Sequence, residues 1–456
     1  MPGDRSTALH SPAPARGLLV LSGVAILVAL VVLGRLTVFM AADARTDLST
    51  FPSSPFEVRH SCVSAYFVAA GAARDGRSVY SDELYTAPND DGKGIRKPLM
   101  LGRFGIDVYE YPPPFLLLPL ALQMVLRNFL AFRLLWFVLT GVVVAFAMVR
   151  VARALPSPAV RRALLLAPLV WISPPTLSAL QKGNVQLVIV ALAMLAMLLF
   201  ERRRFAVGGA LLAFAIVSKL FPGALLVYLI VRRQFRAVAW TAAMGALLVG
   251  LSLVVVGGRQ YVAFADHLPG LVGGEAFPAF RNPAAIAINF SIPGLVFKLK
   301  LLGLGGLSFG ASKVVGWLYT LVLLVVVVRV SRRPWPDEDK PALWLAILVL
   351  ATLRSPFLPE AYAAFPPVWL LTLLVARHPP TAKTLLWTLG AWLALSFYWP
   401  IDRPLDPRAL ALITLVPTAA TVVVAVLALR PQREAMPIDE LLPRKDEPGR
   451  EGGHAQ

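Results

Sequence analysis

The sequence predicts an all-α polytopic membrane protein, a bundle of roughly 12 transmembrane helices with a large first outer loop. Hydrophobic residues make up 57% of the 456 residues and charged residues only 15%, and the mean hydropathy is +0.68. A soluble domain averages about 45–50% apolar and about 25% charged residues. Because a water-soluble globule of this composition would expose large apolar patches, the excess of apolar side chains must face lipid. This argues against a cytosolic enzyme, a secreted disulfide scaffold and a disordered protein.

The apolar residues form runs of the length that a membrane span needs. About 20 helical residues cross the roughly 30 Å of hydrocarbon, and a spanning run must be a helix because lipid cannot satisfy backbone amides. The runs near this length are 17–40, 132–149, 163–180, 184–200, 237–257, 311–330, 361–376, 383–399 and 408–430. Shorter candidates are 112–126, 206–217, 221–231 and 341–353.

Basic residues set the predicted orientation. The formal net charge of +18 comes from 44 Lys and Arg against 26 Asp and Glu. Because cytoplasmic loops carry an excess of Lys and Arg, we place the basic clusters in the cytoplasm: 1–16, 150–162, 201–205, 232–236, 329–340, 377–383 and 430–456. The sequence therefore predicts a multi-pass plasma-membrane protein with cytoplasmic N- and C-termini. Clusters placed between apolar runs also argue against nucleic acid as a partner.

The predicted membrane domain covers residues 17–430, between the cytoplasmic N-terminus 1–16 and a cytoplasmic tail. The tail, 431–456, is polar and rich in proline and charge, so we expect it to be disordered. Two long, less hydrophobic stretches, 41–111 and 258–310, form the predicted outer loops. Loops longer than about 15 residues usually carry function.

The predicted cytoplasmic position of the basic clusters limits how many times two segments can cross the membrane. Only one crossing fits between the outer end of span 17–40 and the basic loop at 150, so the proline-rich segment 112–126 is predicted to be interfacial or re-entrant. Segment 206–231 has basic flanks on both sides although it is only 26 residues long. Two short helices that turn at 218–222 fit this length, because a proline such as Pro222 ends a helix.

Lys219 lies at the apex of this predicted hairpin, near or within the outer half of the membrane. A lysine in an apolar hairpin costs several kcal/mol unless it meets an anion or a wet cavity. Its ammonium group either binds a lipid phosphate at the bilayer edge or reaches the outer headgroups as a snorkelling side chain. Pro222 and the short flanking helices favour a built site, so Lys219 is the candidate phosphate ligand.

Other polar residues interrupt the apolar runs at the predicted outer face. Asn184 and Gln186 carry amides that can bind sugar hydroxyls, although any helical hairpin needs a polar turn. Arg354 and Glu360, at a junction between two helices, either pair with each other or line a polar cavity. Cys62 is the single cysteine, so no internal disulfide or CxxC site exists. The sequence shows no metal-ligand spacing, and neither a metal nor a cofactor is predicted.

Several motifs, in order along the chain, resemble bacterial glycosyltransferase family 87, the membrane mannosyltransferases of the GT-C superfamily. The resemblance covers most of residues 17–430. Each motif alone carries little information, and the order is what indicates the family. The motifs are Tyr66 to Ala70 with Gly76 and Tyr80, Glu110 to Pro113, Gly183 to Gln186, Gly209 to Lys219 with Pro222, Asn289 to Ser291, and Ser355 and Pro356 with Tyr362.

The resemblance implies a GT-C-like fold and a polyprenyl-phosphate-linked donor, typically of mannose. The hexose would be moved with inversion to a glycolipid or glycan acceptor at the outer face of the membrane, among the membrane lipids. An acidic residue of the first outer loop would be the general base. The candidate substrate-binding residues are Lys219, Asn184, Gln186, Tyr111, Asn289, Ser291, Arg354, Glu360 and Tyr362.

The sequence departs from the family at the expected catalytic carboxylate. The family places its Asp four residues before the motif tyrosine, here Tyr66, and that position is Cys62. Either the loop carries an insertion and Asp47 or Glu57 supplies the carboxylate, or the activity is altered or lost. Asp47 ranks before Glu57 because it directly follows the first span.

The chemistry and two competing hypotheses follow from these residues. A cation would stabilise the charge that grows on the leaving phosphate, and a carboxylate would take the acceptor proton, worth about 10²–10⁴ in rate. A transporter or flippase for a lipid-linked sugar would show broken helices in matching positions of two halves, but the Lys219 pair has no counterpart. A catalytically inactive protein of the same fold is the third hypothesis, motivated by Cys62.

Overall fold

The computed structural model describes residues 16–42, 44–88 and 96–431, and most of these residues are helical. Residues 1–15 and 432–456, which contain nearly all of the two predicted cytoplasmic termini, lie outside the described residues. The helices up to residue 152 are α1 (Arg16–Ala41), α2 (Pro55–Arg59), α3 (Cys62–Arg74), α4 (Leu117–Val125) and α5 (Phe129–Ala152).

The region between α1 and α5, which we call the first loop region, also contains short strands that the sequence did not predict. They are β1 (His60–Ser61), β2 (Thr86–Ala87), β3 (Lys97–Pro98), β4 (Met100–Leu101) and β5 (Phe104–Ile106). Strand β5 lies between β1, with which it is parallel, and β4, with which it is antiparallel. Strands β2 and β3 form a separate antiparallel pair.

The remaining described chain is helical. Its helices are α6 (Ser157–Leu166), α7 (Pro168–Trp171), α8 (Pro174–Lys182), α9 (Gln186–Glu201), α10 (Phe205–Ser218), α11 (Gly223–Val231), α12 (Phe235–Val256), α13 (Gly258–Gly273), α14 (Pro283–Ala287), α15 (Leu295–Leu301), α16 (Phe309–Arg332), α17 (Lys340–Thr352), α18 (Glu360–Ala363), α19 (Phe365–Val375), α20 (Ala382–Leu395), α21 (Pro407–Ile413) and α22 (Leu415–Ala428).

Several helices are long and apolar enough to cross a membrane. Among the described residues these are α1, α5, α12, α16 and the segment Pro407–Ala428 that joins α21 and α22. A sixth span results if α6 to α8, which bend by 65°, are counted as one broken helix. The prediction of a helical, multi-pass membrane protein is therefore confirmed. The count of roughly 12 spans, the plasma membrane and the orientation stay predictions.

Burial separates a lipid-facing shell from an inner core. Only 11% of the most apolar window of α12 and 22% of that of α1 are buried in protein, so their apolar side chains face lipid. By contrast, every residue from Pro341 to Thr352 in α17 and from Phe365 to Leu374 in α19 is buried. These two helices form the inner core, where they pack against each other and against α9 and α22.

The predicted hairpin at 206–231 is confirmed. Helix α10 ends at Ser218 and α11 begins at Gly223. The two helices have 14 and 9 residues, and neither reaches the length of about 20 residues that crosses the hydrocarbon. Lys219 has an extended backbone (φ −147°, ψ 131°). The break lies against the turn at Pro113–Leu116 that precedes α4, and this brings Lys219 to the first loop region.

Candidate active site

The two predicted catalytic carboxylates lie in different environments, and neither faces Lys219. Asp47 lies on an exposed turn after α1, where its Oδ2 is 3.0 Å from the Arg45 guanidinium. The hydrogen bond from Arg45 lowers the pKa of Asp47. Glu57 in α2 has a fully buried side chain, and its Oε1 lies 2.7 Å from Lys182 Nζ.

Glu57 is held by donors from three side chains. Lys182 forms the ion pair, Ser178 Oγ donates to Oε2 at 2.8 Å, and the Tyr398 hydroxyl donates to Oε1. The backbone carbonyl of Glu57 also accepts from Gln181 Nε2 at 2.8 Å. This network ties the first loop region to α8 and to the segment after α20. A carboxylate with these partners is suited to holding the fold together.

Cys62 begins α3 and lies among polar groups from several elements. Its Sγ is 3.1 Å from the Tyr362 hydroxyl, 3.6 Å from Asn184 Nδ2 and 3.8 Å from His60 Nε2. Two predicted substrate-binding residues, Asn184 and Tyr362, therefore meet at the position where the family carries its carboxylate.

Asp107 follows β5 and lies beside Cys62. Its Oδ2 is 3.7 Å from His60 Nε2, its Oδ1 accepts from the Val108 N–H at 3.2 Å, and its own N–H donates to Ser64 Oγ at 3.0 Å. The side chain is 37% exposed. Burial lowers the pKa of His60, against the opposing charge of Asp107, and so favours the neutral imidazole. Asp107 therefore lies next to Cys62 in space although it is far from it in sequence.

One atom each from His60, Cys62 and Asp107 could hold a metal ion, because these atoms lie within 4.8 Å of one another. Burial raises the pKa of the Cys62 thiol to about 12. Tyr362 and Asn184 already contact the sulfur. We therefore interpret the three residues as a polar rim.

Tyrosine hydroxyls connect this rim to Lys219. The Tyr66 hydroxyl is 3.0 Å from that of Tyr111 and accepts from the Val185 N–H at 3.3 Å. Tyr80 donates to the Tyr111 carbonyl at 2.7 Å. Lys219 Nζ lies over the Tyr111 ring, 5.4 Å from its centroid, in cation–π geometry. The motif residues Tyr66, Tyr111, Val185 and Lys219 thus pack at one place.

Cys62, Asp107, Glu110, Tyr111 and Lys219 form what we call the Lys219 cluster. Lys219 interacts electrostatically with Cys62 and Glu110, and Glu110 in turn with Asp107. Burial and the Asp107 charge raise the pKa of Glu110 to about 8, against the opposing effect of Lys219. Lys219, Asp107, Glu110 and Tyr111 are half-buried, so the cluster stays within reach of a ligand.

The other predicted binding residues have structural partners. Asn184 Oδ1 accepts from the N–H of buried Gln186 at 2.9 Å, at the start of α9. Ser291 Oγ and Asn289 Nδ2 both donate to the Pro356 carbonyl, at 2.8 and 3.2 Å, and so fasten the chain before α15 to the junction before α18. These amides therefore shape the backbone around the cluster.

Arg354 and Glu360 do not form a hydrogen-bonded pair. Arg354 Nε donates to Thr320 Oγ1 at 2.6 Å, and its guanidinium lies 5.6 Å from the Trp317 ring centroid. Glu360 is fully buried at the start of α18. Of the residues predicted at this junction, Tyr362 is the one that reaches Cys62.

The arrangement combines a cation, a carboxylate and neutral hydrogen-bonding groups. An ammonium group surrounded by protein can stabilise a phosphate, a carboxylate can take a proton, and amide and phenol groups can orient hydroxyls. Sequence reasoning missed His60 and Asp107. No linear signal could find them, because the strand pairing that brings Asp107 to Cys62 involves strands of two and three residues.

Comparisons with known proteins converge on one family. The family model described as Glycosyltransferase family 87 matches residues 109–358, more than half of the chain. A curated relative, the polyprenol-phosphate-mannose-dependent alpha-(1-2)-phosphatidylinositol pentamannoside mannosyltransferase of Mycobacterium tuberculosis, is 27% identical over 273 residues. The match covers 55% of this chain and 57% of the relative, so the chain spans little more than half of that protein's length. No solved structure gives a significant match, and the GT-C-like fold stays a prediction.

Proposed function

This chain belongs to glycosyltransferase family 87, and on that premise we propose that it transfers mannose from a polyprenyl-phosphate donor to a glycolipid or glycan acceptor. The proposal places the reaction at the outer face of the plasma membrane, with inversion at the anomeric carbon. It is supported by the family match and by the mannosyltransferase relative, whose name includes a polyprenol-phosphate-mannose dependence.

The observation that carries this proposal is the position of Lys219. Its ammonium group lies at a helix break, over the Tyr111 ring and close to Glu110. When the bond between sugar and phosphate breaks, negative charge grows on the phosphate. A fixed cation in a site shielded from water stabilises that charge more strongly than water does. A phosphate leaves without a general acid, so one base suffices, whereas a glycoside hydrolase needs two carboxyl groups.

The polar groups that surround Cys62 are suited to binding the hydroxyls of the sugar and of the acceptor. Asn184 supplies an amide and Tyr362 a phenol next to the sulfur, and such groups both donate to and accept from hydroxyls. Attack by the acceptor from the side opposite the phosphate gives inversion. The Lys219 ammonium would hold the leaving group, and the Cys62 side of the cluster would receive the acceptor.

A transfer assay tests the proposal. Purified protein in liposomes receives labelled polyprenyl-phosphate-mannose and a membrane glycolipid extract, and labelled glycolipid and free polyprenyl phosphate are measured. We expect both products from the wild type and a loss of about 10²–10³ in rate for Lys219→Met. Lys300→Met, at an exposed lysine of α15, is the matched control and should be unaffected. Absence of transfer by folded wild-type protein would refute the proposal.

Cys62 favours a second candidate, an inactive protein of the same fold. A buried thiol whose pKa is raised to about 12 is protonated at neutral pH and cannot replace a carboxylate as base. The same assay separates the candidates, because an inactive protein would bind the donor and release no polyprenyl phosphate. A transporter or flippase would move labelled donor across the liposome membrane without forming product.

A further inference from the structure

Strand pairing brings a carboxylate to the position where the sequence lacks one. Strands β1 and β5 are parallel, with His60 opposite Gly105 and Ser61 opposite Ile106. The next pair in this register is Cys62 and Asp107. Matched residues of neighbouring parallel strands point to the same face, and the Cys62 and Asp107 ligand atoms do lie within 4.8 Å of each other.

We propose that Asp107 is the general base that deprotonates the acceptor hydroxyl, in place of the carboxylate that Cys62 replaces. The inference rests on the proposed function, since it assigns a role in that same transfer. Cys62 begins α3 directly after β1, and Asp107 directly follows β5, so the two positions continue the paired register of the two strands.

The hydrogen bonds of Asp107 leave it able to accept a proton. Its Oδ1 accepts from the Val108 N–H at 3.2 Å, and its Oδ2 lies 3.7 Å from His60 Nε2, beyond hydrogen-bond distance. The side chain is 37% exposed. Glu57, by contrast, has a fully buried side chain whose oxygens are engaged by Lys182, Tyr398 and Ser178. A substrate hydroxyl can reach Asp107 but not Glu57.

Other nearby groups are less suited to this role. The Cys62 thiol is buried, and its sulfur already contacts Tyr362 and Asn184. Glu110 interacts electrostatically with Lys219, on the side of the cluster where the phosphate would bind. Asp107 lies on the Cys62 side, where Tyr362 and Asn184 would orient an acceptor hydroxyl.

The proposed step balances. The acceptor oxygen forms a bond to the anomeric carbon while its proton passes to a carboxylate oxygen of Asp107. The bond between that carbon and the phosphate oxygen breaks, and its electron pair stays with the phosphate. One carboxylate becomes a carboxylic acid, and polyprenyl phosphate leaves with the additional negative charge facing Lys219. The proton then passes from Asp107 to solvent.

A carboxylate swap tests the inference. In the transfer assay, Asp107→Asn should lower kcat by about 10²–10⁴, while the KM for the donor stays within about three-fold because the phosphate side is unchanged. Adding Cys62→Asp to Asp107→Asn places a carboxylate at the start of α3, opposite position 107, and should raise kcat at least about ten-fold above that of Asp107→Asn. Asp82→Asn, at an exposed acid of the same loop region, is the matched control.

Different outcomes separate the inference from the proposed function. If the wild type transfers mannose and folded Asp107→Asn keeps most of the rate, or if the swap recovers nothing, Asp107 is not the base. Stoichiometric zinc in the purified protein that is lost with Cys62→Ser would also overturn the inference, because Asp107 would then be a metal ligand. If the wild type itself transfers nothing, the proposed function fails first and the inference with it.

Discussion

Lys182 and Lys219 belong to the same membrane domain, but their surroundings differ. Lys182 Nζ lies 2.7 Å from Glu57 Oε1 and 3.0 Å from the Tyr398 hydroxyl, and the side chains of the ion pair are 6% and 0% exposed. Lys219 has no hydrogen-bond acceptor within reach among the residues that the structure describes, and its ammonium group faces the Tyr111 ring.

The difference indicates what each lysine does. Taking an ammonium group out of water costs several kcal/mol, which only a partner can offset. At Lys182 the partner is part of the protein, so the residue contributes to the fold. At Lys219 no described residue supplies a paired anion, and the Lys219 cluster is open enough for one to enter. This environment is why we propose Lys219, and not Lys182, as the residue that binds the donor phosphate.

Breaking the buried ion pair between Lys182 and Glu57 should have the largest effect on stability. Lys182→Met leaves Glu57 as a buried charge without its partner, which typically costs about 3–5 kcal/mol. We expect a lower melting temperature in detergent. Lys313→Met is the matched control, because it removes an exposed pair with Glu275, and such pairs contribute about 0–1 kcal/mol. An unchanged melting temperature for Lys182→Met would show that the Glu57 network is not a structural clamp.

Lys219→Met, unlike Lys182→Met, should not destabilise the protein. The substitution keeps an apolar stem and removes a charge that no described residue pairs. The free energy of unfolding should therefore stay equal to that of the wild type or rise by up to about 2 kcal/mol, and the melting temperature should not fall. Transfer activity should fall in the same variant. A loss of stability as large as that of Lys182→Met would mean that Lys219 is a structural lysine, and the comparison between the two would collapse.

The sequence predicted local features of the fold and failed on those that depend on distant pairing. The break in 206–231 follows from basic flanks, length and Pro222, all of which lie within one segment. The strands were missed because β1 and β5 have two and three residues, too few to show an alternating pattern. The number of spans could not be read from run lengths alone, since helices such as α10 and α11 are too short to cross.

The same distinction applies to the site. Lys219 and Asn184 were predicted from the sequence because a charge or an amide inside an apolar run is conspicuous, and their roles stay predictions. The Glu57–Lys182 pair joins residues far apart in sequence, and nothing local indicates that the two meet. The role proposed for Asp107 depends on a strand register, which no motif encodes. Asp47 attracted attention by its position after the first span, but proximity in sequence does not determine which side chains face Lys219.

The pH dependence of stability tests the environment of Glu110 in the Lys219 cluster. Burial and Asp107 raise the pKa of Glu110 to about 8 from an ordinary 4.5, so the folded state binds this proton more tightly than the unfolded state. The stabilisation is complete below pH 4.5 and is lost as the pH rises through about 8.

Glu110→Gln should therefore flatten the fall in melting temperature between pH 5 and pH 8. Glu83→Gln, at an exposed acid of the same loop region, should leave the slope as in the wild type. The measurement is thermal unfolding in detergent across this pH range. Identical slopes for the wild type and Glu110→Gln would mean that water reaches Glu110 freely, and the cluster would then offer a phosphate no shielding from solvent.

Asp47→Asn should change the transfer rate less than any of the other variants of site residues. Asp47 is exposed and bonded to Arg45 within its own turn, and the pKa of its carboxyl is lowered by that neighbour, so it is a weak base screened by water. We expect transfer within about two-fold of the wild type. If Asp47→Asn instead lost as much activity as Asp107→Asn, the base would be the residue that directly follows the first span. The Lys219 cluster could then not be the reaction centre unless the first loop region rearranged on binding.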